Sequence, residues 1–550
     1  MRKWVALPWL VTWAFVAGCD AGHSTNEPLD PGLEPEPVTP TGCDVVAQPA
    51  TAPDGYYVNG NTICSATGEP HLFHGVDRPG LEYSRSGDRS SARDFRLMAS
   101  WGANVVRLGL NQDFWLEGSP QFTPSYLESV DTVVAWAKAA GMDVILDLHW
   151  SDAGVLGGCT AKNCQQKMAD DNSVTFWSEV AARYRDDGRV IFELYNEPHD
   201  VSWQVWRDGG SVDGFHAAGM QQLYDAVRAA DANNLVIIGG LDWAYDLSGV
   251  QENRVNGYNI AYATHPYNTA QRQPAGWNRA WGALSATDPV IVTEFGNFND
   301  PSCSTDYASK VIEYADARGA SWTAWGWYPG GCTYPALIED WTGAPSALGT
   351  VVREALLGYG GPHPDVEPEE DTPINFTFDD TTEGWALNDY SDPDFTNLGV
   401  ETPVGAPATL IHSDVDGDPS SGALELNVTI SATDQYVIAQ TELARSLAGK
   451  TLNARVRLKS GTLNGASVAL WVCTGATFVC SQGQGVVLDA TPGEWVSLQW
   501  DLDAETKPDF DVTKAVLLGL QVDAGFLSDS PRKDLPASDG GTLQIDTVTE

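Results

Sequence analysis

Between residues 71 and 356, short apolar runs alternate with stretches of helical period. The runs predict strands over 71–76, 104–110, 143–149, 190–195, 235–239, 260–265, 290–294 and 321–325. Helical spacing predicts helices over 91–100, 126–140, 173–184, 212–230, 306–318 and 347–356, the second ending at Gly141 in the manner of a C-cap. The strands are apolar along their length, as expected when helices cover both faces of a parallel sheet. Eight such strands over roughly 300 residues fit a (β/α)8 barrel. A doubly wound sheet is the alternative, but no Gly-rich phosphate loop follows an early strand. Beyond residue 372 the period becomes two. Strands are expected over 374–378, 423–430, 436–441, 451–458, 467–472, 495–501, 516–522 and 542–548, separated by Gly, Asp, Pro and Ser. That pattern reads as an all-β jelly-roll sandwich.

The segments between these units have a different composition. Arg2 and Lys3 precede an apolar run over 4–16, then Val16-Ala17-Gly18-Cys19. The run is too short to span a bilayer and has the layout of a signal peptide over 1–18. A small-residue site ending in Cys resembles the lipobox of bacterial lipoproteins, which implies a lipid on Cys19 and a membrane partner through that anchor. Ordinary cleavage with free secretion is the alternative. Residues 19–50, rich in Pro and acids, cannot bury a core and read as a tether. Residues 361–372 form a second Pro/acid linker. The expected domains are therefore 51–360, a barrel, and 373–550, a sandwich. The expected location is outside the cytoplasm, on a bacterial cell surface or outer membrane, or secreted.

Charge and cysteine content narrow the picture. Against 31 Lys and Arg stand 74 Asp and Glu, a formal net charge of −43. A chain so acidic lacks the cations that neutralise phosphates, so nucleic acid is not an expected partner. Aromatic residues make up 10% of the chain and 21 are Trp; an indole presents a flat apolar face to the C–H face of a pyranose, and equally fills a large core. Nine Cys less Cys19 leave eight, an even number in an exported chain, which suggests disulfides. Neighbours in sequence pair as Cys43/Cys64, Cys159/Cys164, Cys303/Cys332 and Cys473/Cys480, the simplest of the possible connectivities. Metal binding is the alternative, and no CxxC pair or Cys/His cluster supports it.

The ends of the barrel strands carry ionisable groups that are unfavourable to bury unpaired. Arg107 lies on the second strand, His149 ends the third, and Asn196 and Glu197 follow the fourth. His265-Pro266-Tyr267 follows the sixth, Glu294 the seventh, and Trp322, Trp325 and Trp327 lie on or after the eighth. Glu197 and Glu294 sit after strands four and seven, whose ends can face each other across a barrel mouth. Glycoside hydrolysis needs two carboxyls flanking the bond, about 5–5.5 Å apart for retention and wider for inversion.

Tyr195-Asn196-Glu197-Pro198, His265-Pro266-Tyr267, Thr293-Glu294-Phe295-Gly296 and Ser321-Trp322-Thr323-Ala324-Trp325 resemble the signature stretches of glycoside hydrolase family 5, the cellulase and mannanase family of retaining barrels. The resemblance spans roughly residues 55–360. It implies that Glu197 is the general acid/base and Glu294 the nucleophile. It implies that Asn196 contacts the sugar 2-hydroxyl, that Tyr267 contacts the nucleophile and that Arg107 helps to hold it ionised. His149 and His265 would line the subsite at the cleaved bond, and Trp325, rather than Trp327, would form its floor. Glu197 must start protonated and Glu294 ionised. No cofactor or catalytic metal is implied.

Trp115, Trp150, Trp203, Trp243, Tyr245, Trp281 and Trp327 are further candidates for sugar platforms or for packing, and Asp77, Arg78, Glu82 and Asp147 for groups behind the site. The C-terminal domain resembles carbohydrate-binding modules at Phe376-Thr377-Phe378-Asp379-Asp380, Glu383-Gly384-Trp385 and Leu543-Gln544-Ile545-Asp546-Thr547-Val548. Acids at both of its ends would suit a structural Ca²⁺ where first and last strands meet; Trp385 is expected in the core. The expected activity is that of a monomeric, retaining endo-β-glycanase on β-1,4-glucan. The rivals are the same chemistry on β-mannan, xyloglucan or β-1,3-glucan, and a non-catalytic glycan-binding lipoprotein.

Overall fold

The structure, a computed structural model, describes residues 38–43, 54–360 except 89, 160–163, 299 and 333, and then 374–378, 385–387, 404–405, 408–413, 417, 422–430, 435–463, 466–474, 479–488, 493–508, 510–523 and 539–550. The expected signal peptide, Cys19, most of the tether and the linker at 361–372 lie outside the described residues. No helix among the described residues is long and apolar enough to cross a membrane.

Eight parallel strands close into a barrel: β1 (His74–Asp77), β2 (Val105–Asn111), β3 (Asp143–Trp150), β4 (Val190–Glu193), β5 (Val236–Gly239), β6 (Ile260–Ala263), β7 (Val290–Val292) and β8 (Ser321–Ala324). Each pairs with the next in sequence, and β8 closes on β1 with Thr323 opposite Gly75. The eight expected runs are these strands; the fourth, sixth, seventh and eighth are shortened at the end that carries the polar group, and the first three run one residue further than expected. Inward positions recur with period two. Val105, Ile145, Ile191, Ile237, Ala261 and Ile291 form an apolar layer, into which Tyr56 and Ile63 of the hairpin Tyr56–Asn59/Thr62–Ser65 pack from below. Two residues farther along their strands stand Arg107, Asp147, Glu193 and Thr293. The pleat thus stacks a charged layer directly on an oily one.

The helices over Ala92–Ser100, Pro124–Ala139, Asp171–Tyr184, Asp306–Ala317 and Ala347–Gly358 match the helical spacing to within a few residues. Ser91 caps the first through Asp94 N, and Asp170 caps the third through Asn172 N and Ser173 N. The expected helix over 212–230 is a correction. Its first part is a hairpin, Gly210–Val212 against Phe215–Ala217, and the helix begins only at Met220. Asp213 (φ 44°) and Gly214 (φ 95°) form the two-residue turn, and Asp-Gly is the pair that such left-handed turns favour.

The C-terminal unit is two antiparallel sheets that share one core. One sheet runs Ala408–Ser413, Ala423–Ile430, Asp539–Thr549, Thr451–Gly461, Val496–Asp501; the other runs Ala386–Leu387, Gln435–Arg445, Ala515–Asp523, Ser467–Thr474, Val479–Gln482. Alternate residues such as Leu424, Leu426, Val428, Leu518, Leu520 and Val522 face inward, with Trp385 and Phe378 among them. First and last strands meet, Phe376 opposite Val548. Asp379 and Asp380 lie outside the described residues. Of the terminal acids that remain, Glu550 is engaged by Lys450 and Arg445. All four neighbouring cysteine pairs are disulfides: Cys43–Cys64, Cys159–Cys164, Cys303–Cys332 and Cys473–Cys480.

Candidate active site

The polar groups that follow the apolar strands gather at one end of the barrel, the C-terminal end of all eight strands. Two of them are fixed by proline. Glu197 precedes Pro198 and His265 precedes Pro266, and a residue before proline is kept out of the helical region. The chain therefore stays extended past the strand end and carries each side chain over the mouth. Gly109 on β2 makes room for a third: a Cβ there would lie 3.1 Å from the His149 ring.

Arg107 is the hub. Its Nη1 donates to Glu294 Oε1 at 2.7 Å and to Asp77 Oδ1 at 3.2 Å, its Nε to Glu193 Oε2 at 2.6 Å and its Nη2 to Asn196 Oδ1 at 2.7 Å. Nη2 also pairs with Asp147 Oδ2 at 3.0 Å. One guanidinium, 1% exposed, thus stands among four carboxylates. Burial drives the carboxyls of Asp77 and Glu193 above their ordinary values despite the pull of Arg107.

Glu294 receives a second hydrogen bond from the Tyr267 hydroxyl, 2.7 Å to Oε2. Two strong donors on this side chain are complementary to a carboxylate. Glu197 differs. Its Oε1 lies 3.0 Å from His265 Nδ1, and its Oε2 accepts from Gln165 Nε2 at 3.3 Å. Burial pushes the Glu197 carboxyl up, against the opposing charges of His149 and Arg272. The two glutamates offer carboxylate oxygens within 4.8 Å of each other.

His149 donates through Nδ1 to Asp147 Oδ2 at 2.6 Å. Burial opposes its charge, but that hydrogen bond and the Asp147 charge prevail and raise it to about 9. Its Nε2 stands 3.5 Å from Asn196 Nδ2. Asn196 turns its oxygen to Arg107, so its amide N–H groups and the His149 Nε2–H converge as donors on one small volume. Trp325 lies parallel to the His149 ring (centroids 5.7 Å apart, 20°) and donates from Nε1 to the Tyr334 hydroxyl. Trp327 is wholly buried against Trp101.

Glu197, His265 and Glu294 also form a grouping with metal-ligand spacing. The guanidinium of Arg107 beside Glu294 and the O–H of Tyr267 already fill that environment with a positive charge and a donor, so the donor set suits protons better than a cation.

All eight residues expected in the site, Arg107, His149, Asn196, Glu197, His265, Tyr267, Glu294 and Trp325, come together here. Of the further candidates, Asp77 and Asp147 touch Arg107. Arg78 pairs instead with Asp94, and Glu82 accepts from Gly80 N. Trp115 and Trp281 are packed in the core, and Tyr245 is buried beneath the guanidinium of Arg272. Trp243 is half-buried and stacks on His199 at 3.6 Å, its backbone in the left-handed region (φ 59°) like those of Asp242 and Ala244. His199 in turn places Nδ1 2.9 Å from Glu197 O. The sequence reading passed over Glu193, Thr293, Gln165, His199 and Tyr334. Glu193 had a signal, an acid inside a four-residue apolar strand.

Residues 64–331 match the family described as Cellulase (glycosyl hydrolase family 5). An endoglucanase E-5 of Thermobifida fusca is 26% identical over 369 residues, 62% of this chain and 71% of that protein. An endoglucanase of Paenibacillus polymyxa is 26% identical over 351 residues, 55% of this chain and 87% of that protein. Among solved structures, the β-glucanase SdGluc5_26A of Saccharophagus degradans in complex with cellotetraose is 24% identical with a TM-score of 0.48, covering 57% of this chain and 98% of that one.

Proposed function

Since residues 64–331 are a glycosyl hydrolase family 5 domain and the chain is a glycoside hydrolase, we propose that it is a retaining endo-β-glucanase that cleaves β-1,4-glucan. The observation that carries this reading is the pair Glu197 and Glu294, with carboxylate oxygens within 4.8 Å. That proximity supports the closer of the two carboxyl spacings, the one used for direct attack by a carboxylate, over the wider one that admits a water.

In the first step Glu294 attacks the anomeric carbon. The bond to the leaving oxygen breaks, its electrons stay on that oxygen, and the proton of Glu197 passes to it. In the second step Glu197, now a carboxylate, takes a proton from water. The hydroxide attacks the anomeric carbon and releases Glu294. The donors of Asn196 and His149 are set to meet a sugar hydroxyl, and Trp325 offers the ring on which the sugar lies. Kinship with two endoglucanases supports glucan as the sugar and an internal mode of cleavage. Disulfides among the described residues support work in an oxidising compartment.

The test is a panel of β-1,4-glucan, β-1,3-glucan, xyloglucan, mannan and xylan with products followed by NMR. Soluble β-1,4-glucan is expected to fall quickly in chain length, and the β-anomer should appear first. A first-formed α-anomer would refute retention, and release of reducing sugar from mannan alone would refute the glucan assignment.

Two further outcomes are expected. Activity should fall at high pH as Glu197 loses its proton. Because burial raises this group, the alkaline limb of kcat/KM should lie above the ordinary glutamate range, whose centre is about 4.3. Trp325→Ala should raise KM roughly threefold to tenfold, the worth of one aromatic face against an apolar surface, and change kcat less.

A further inference from the structure

Glu193 and Thr293 sit beneath the site, buried, and neither reaches the cleaved bond. Glu193 Oε2 accepts from Arg107 Nε, and its Oε1 accepts from the Thr293 hydroxyl at 2.8 Å. A hydroxyl that donates to a carboxylate keeps its lone pairs for accepting. Those lone pairs face His265 Nε2 at 3.0 Å, so Nε2 must carry the hydrogen. His265 is enclosed, and burial lowers it to about 4, which makes the ring neutral with one proton to place. Nδ1 is then bare, 3.0 Å from Glu197 Oε1. The hydrogen for that contact comes from Glu197.

We propose that Glu193 and Thr293 are positioning residues that fix the tautomer of His265 and thereby hold the catalytic proton on Glu197. The proposal rests on Glu197 being the acid. The donor order runs one way: Glu197 O–H to His265 Nδ1, His265 Nε2–H to Thr293 Oγ1, Thr293 O–H to Glu193 Oε1. No bond breaks until substrate binds. The O–H of Glu197 then turns to the leaving oxygen and gives up its proton there. The bare Nδ1 offers the resulting carboxylate no hydrogen bond, which keeps it basic enough to deprotonate water in the second step. The opposite tautomer would make Nδ1 a donor to the Glu197 carboxylate, favour its ionised form and take the Thr293 hydrogen away from Glu193.

Other charges face this relay. Glu294 Oε2 stands 3.7 Å from His265 Nδ1, and Glu193 Oε1 stands 4.0 Å from Nε2. His149, Arg272, His199 and Arg107 act on Glu197, and Arg107 and Asp147 act on Glu193. Gln165 donates to the far oxygen of Glu197 and does not touch the ring.

The experiment uses the full chain. Thr293→Val keeps the shape of the side chain and removes the hydroxyl, so the ring is free to put its hydrogen on Nδ1. The alkaline limb of kcat/KM on soluble β-1,4-glucan is expected to move down by about one pH unit while the acid limb stays. Glu193→Gln should move it the same way, because Arg107 claims the amide oxygen and turns the amide nitrogen toward Thr293. Thr293→Ser should restore the wild-type limb. An unmoved limb in Thr293→Val, or a Thr293→Ser limb displaced as far, overturns the proposal. Nitrogen-15 NMR of the wild-type ring gives an independent reading: Nε2 protonated and Nδ1 bare is expected, and a protonated Nδ1 overturns it. A wild-type protein that hydrolysed no β-glucan would refute the assigned activity, while the ring-nitrogen spectrum would still decide the relay.

Discussion

Glu294→Ala is expected to lower the hydrolysis of β-1,4-glucan roughly ten-thousandfold or more, with little change in affinity for a cello-oligosaccharide. No other carboxylate can take its place. Glu197 is engaged by His265 and Gln165 and is the proposed acid, and Asp77, Asp147 and Glu193 lie behind Arg107. Stability should hold, because Arg107 keeps three carboxylates after the fourth is gone. Thermal unfolding therefore separates a chemical loss from a folding loss. Azide, small enough for the vacated space, should restore turnover and give an α-glycosyl azide. Calorimetry with cellotetraose measures affinity. A variant that hydrolysed β-1,4-glucan at a tenth of the wild-type rate would rule out Glu294 as nucleophile.

Arg107→Met is expected to cost the fold about 3–5 kcal/mol at neutral pH, the range for breaking a buried ion pair by removing one partner. Four carboxylates would be left facing one another in the barrel. The sign of the pH dependence follows from their shifts. Asp77 and Glu193 are already raised by burial with Arg107 in place. A carboxyl raised in the folded state opposes folding above its unfolded value, and the penalty is relieved as pH falls through its folded value. Without the guanidinium both should rise further, so the variant should gain stability relative to wild type from pH 8 to pH 5. Urea unfolding across that range measures it; a constant difference would show that the cluster is not the cause. Activity should be lost as well, since Glu294 loses one of its two donors.

Much of this was legible in the sequence, and the reason is physical. Parallel strands covered on both faces are apolar, so a polar or aromatic residue at a strand end stands out, and such residues make up the candidate site. Asn196, Glu197, His265, Glu294 and Trp325 all declare themselves in that way. The groups within the strands do not. Glu193 shares its face with Ile191, and Thr293 stands beside the more conspicuous Glu294. Their part depends on which partner each meets across the barrel, and spacing along the chain does not encode that. Gln165 is placed by a loop beside the Cys159–Cys164 disulfide, and loops carry no period. The hairpin at 210–217 was missed for a simpler reason: Asp213-Gly214 marks a turn, and the helical spacing on either side obscured it.

The lower end of the barrel bears on how a polymer meets the upper one. Val38 and Pro40 border a cavity of about 380 Å³ with His71, Asn104, Pro289 and Ser321, residues at or just before the beginnings of strands. The Cys43–Cys64 disulfide ties the incoming segment to the hairpin that caps this end. Tyr359, directly after the last helix, stacks on His74 at the start of β1. The backbone thus enters and leaves the barrel at the pole remote from the carboxylates. Among the described residues, neither 38–43 nor the turn after the last helix crosses the opening, which leaves that face of the barrel itself clear for a chain lying broadside.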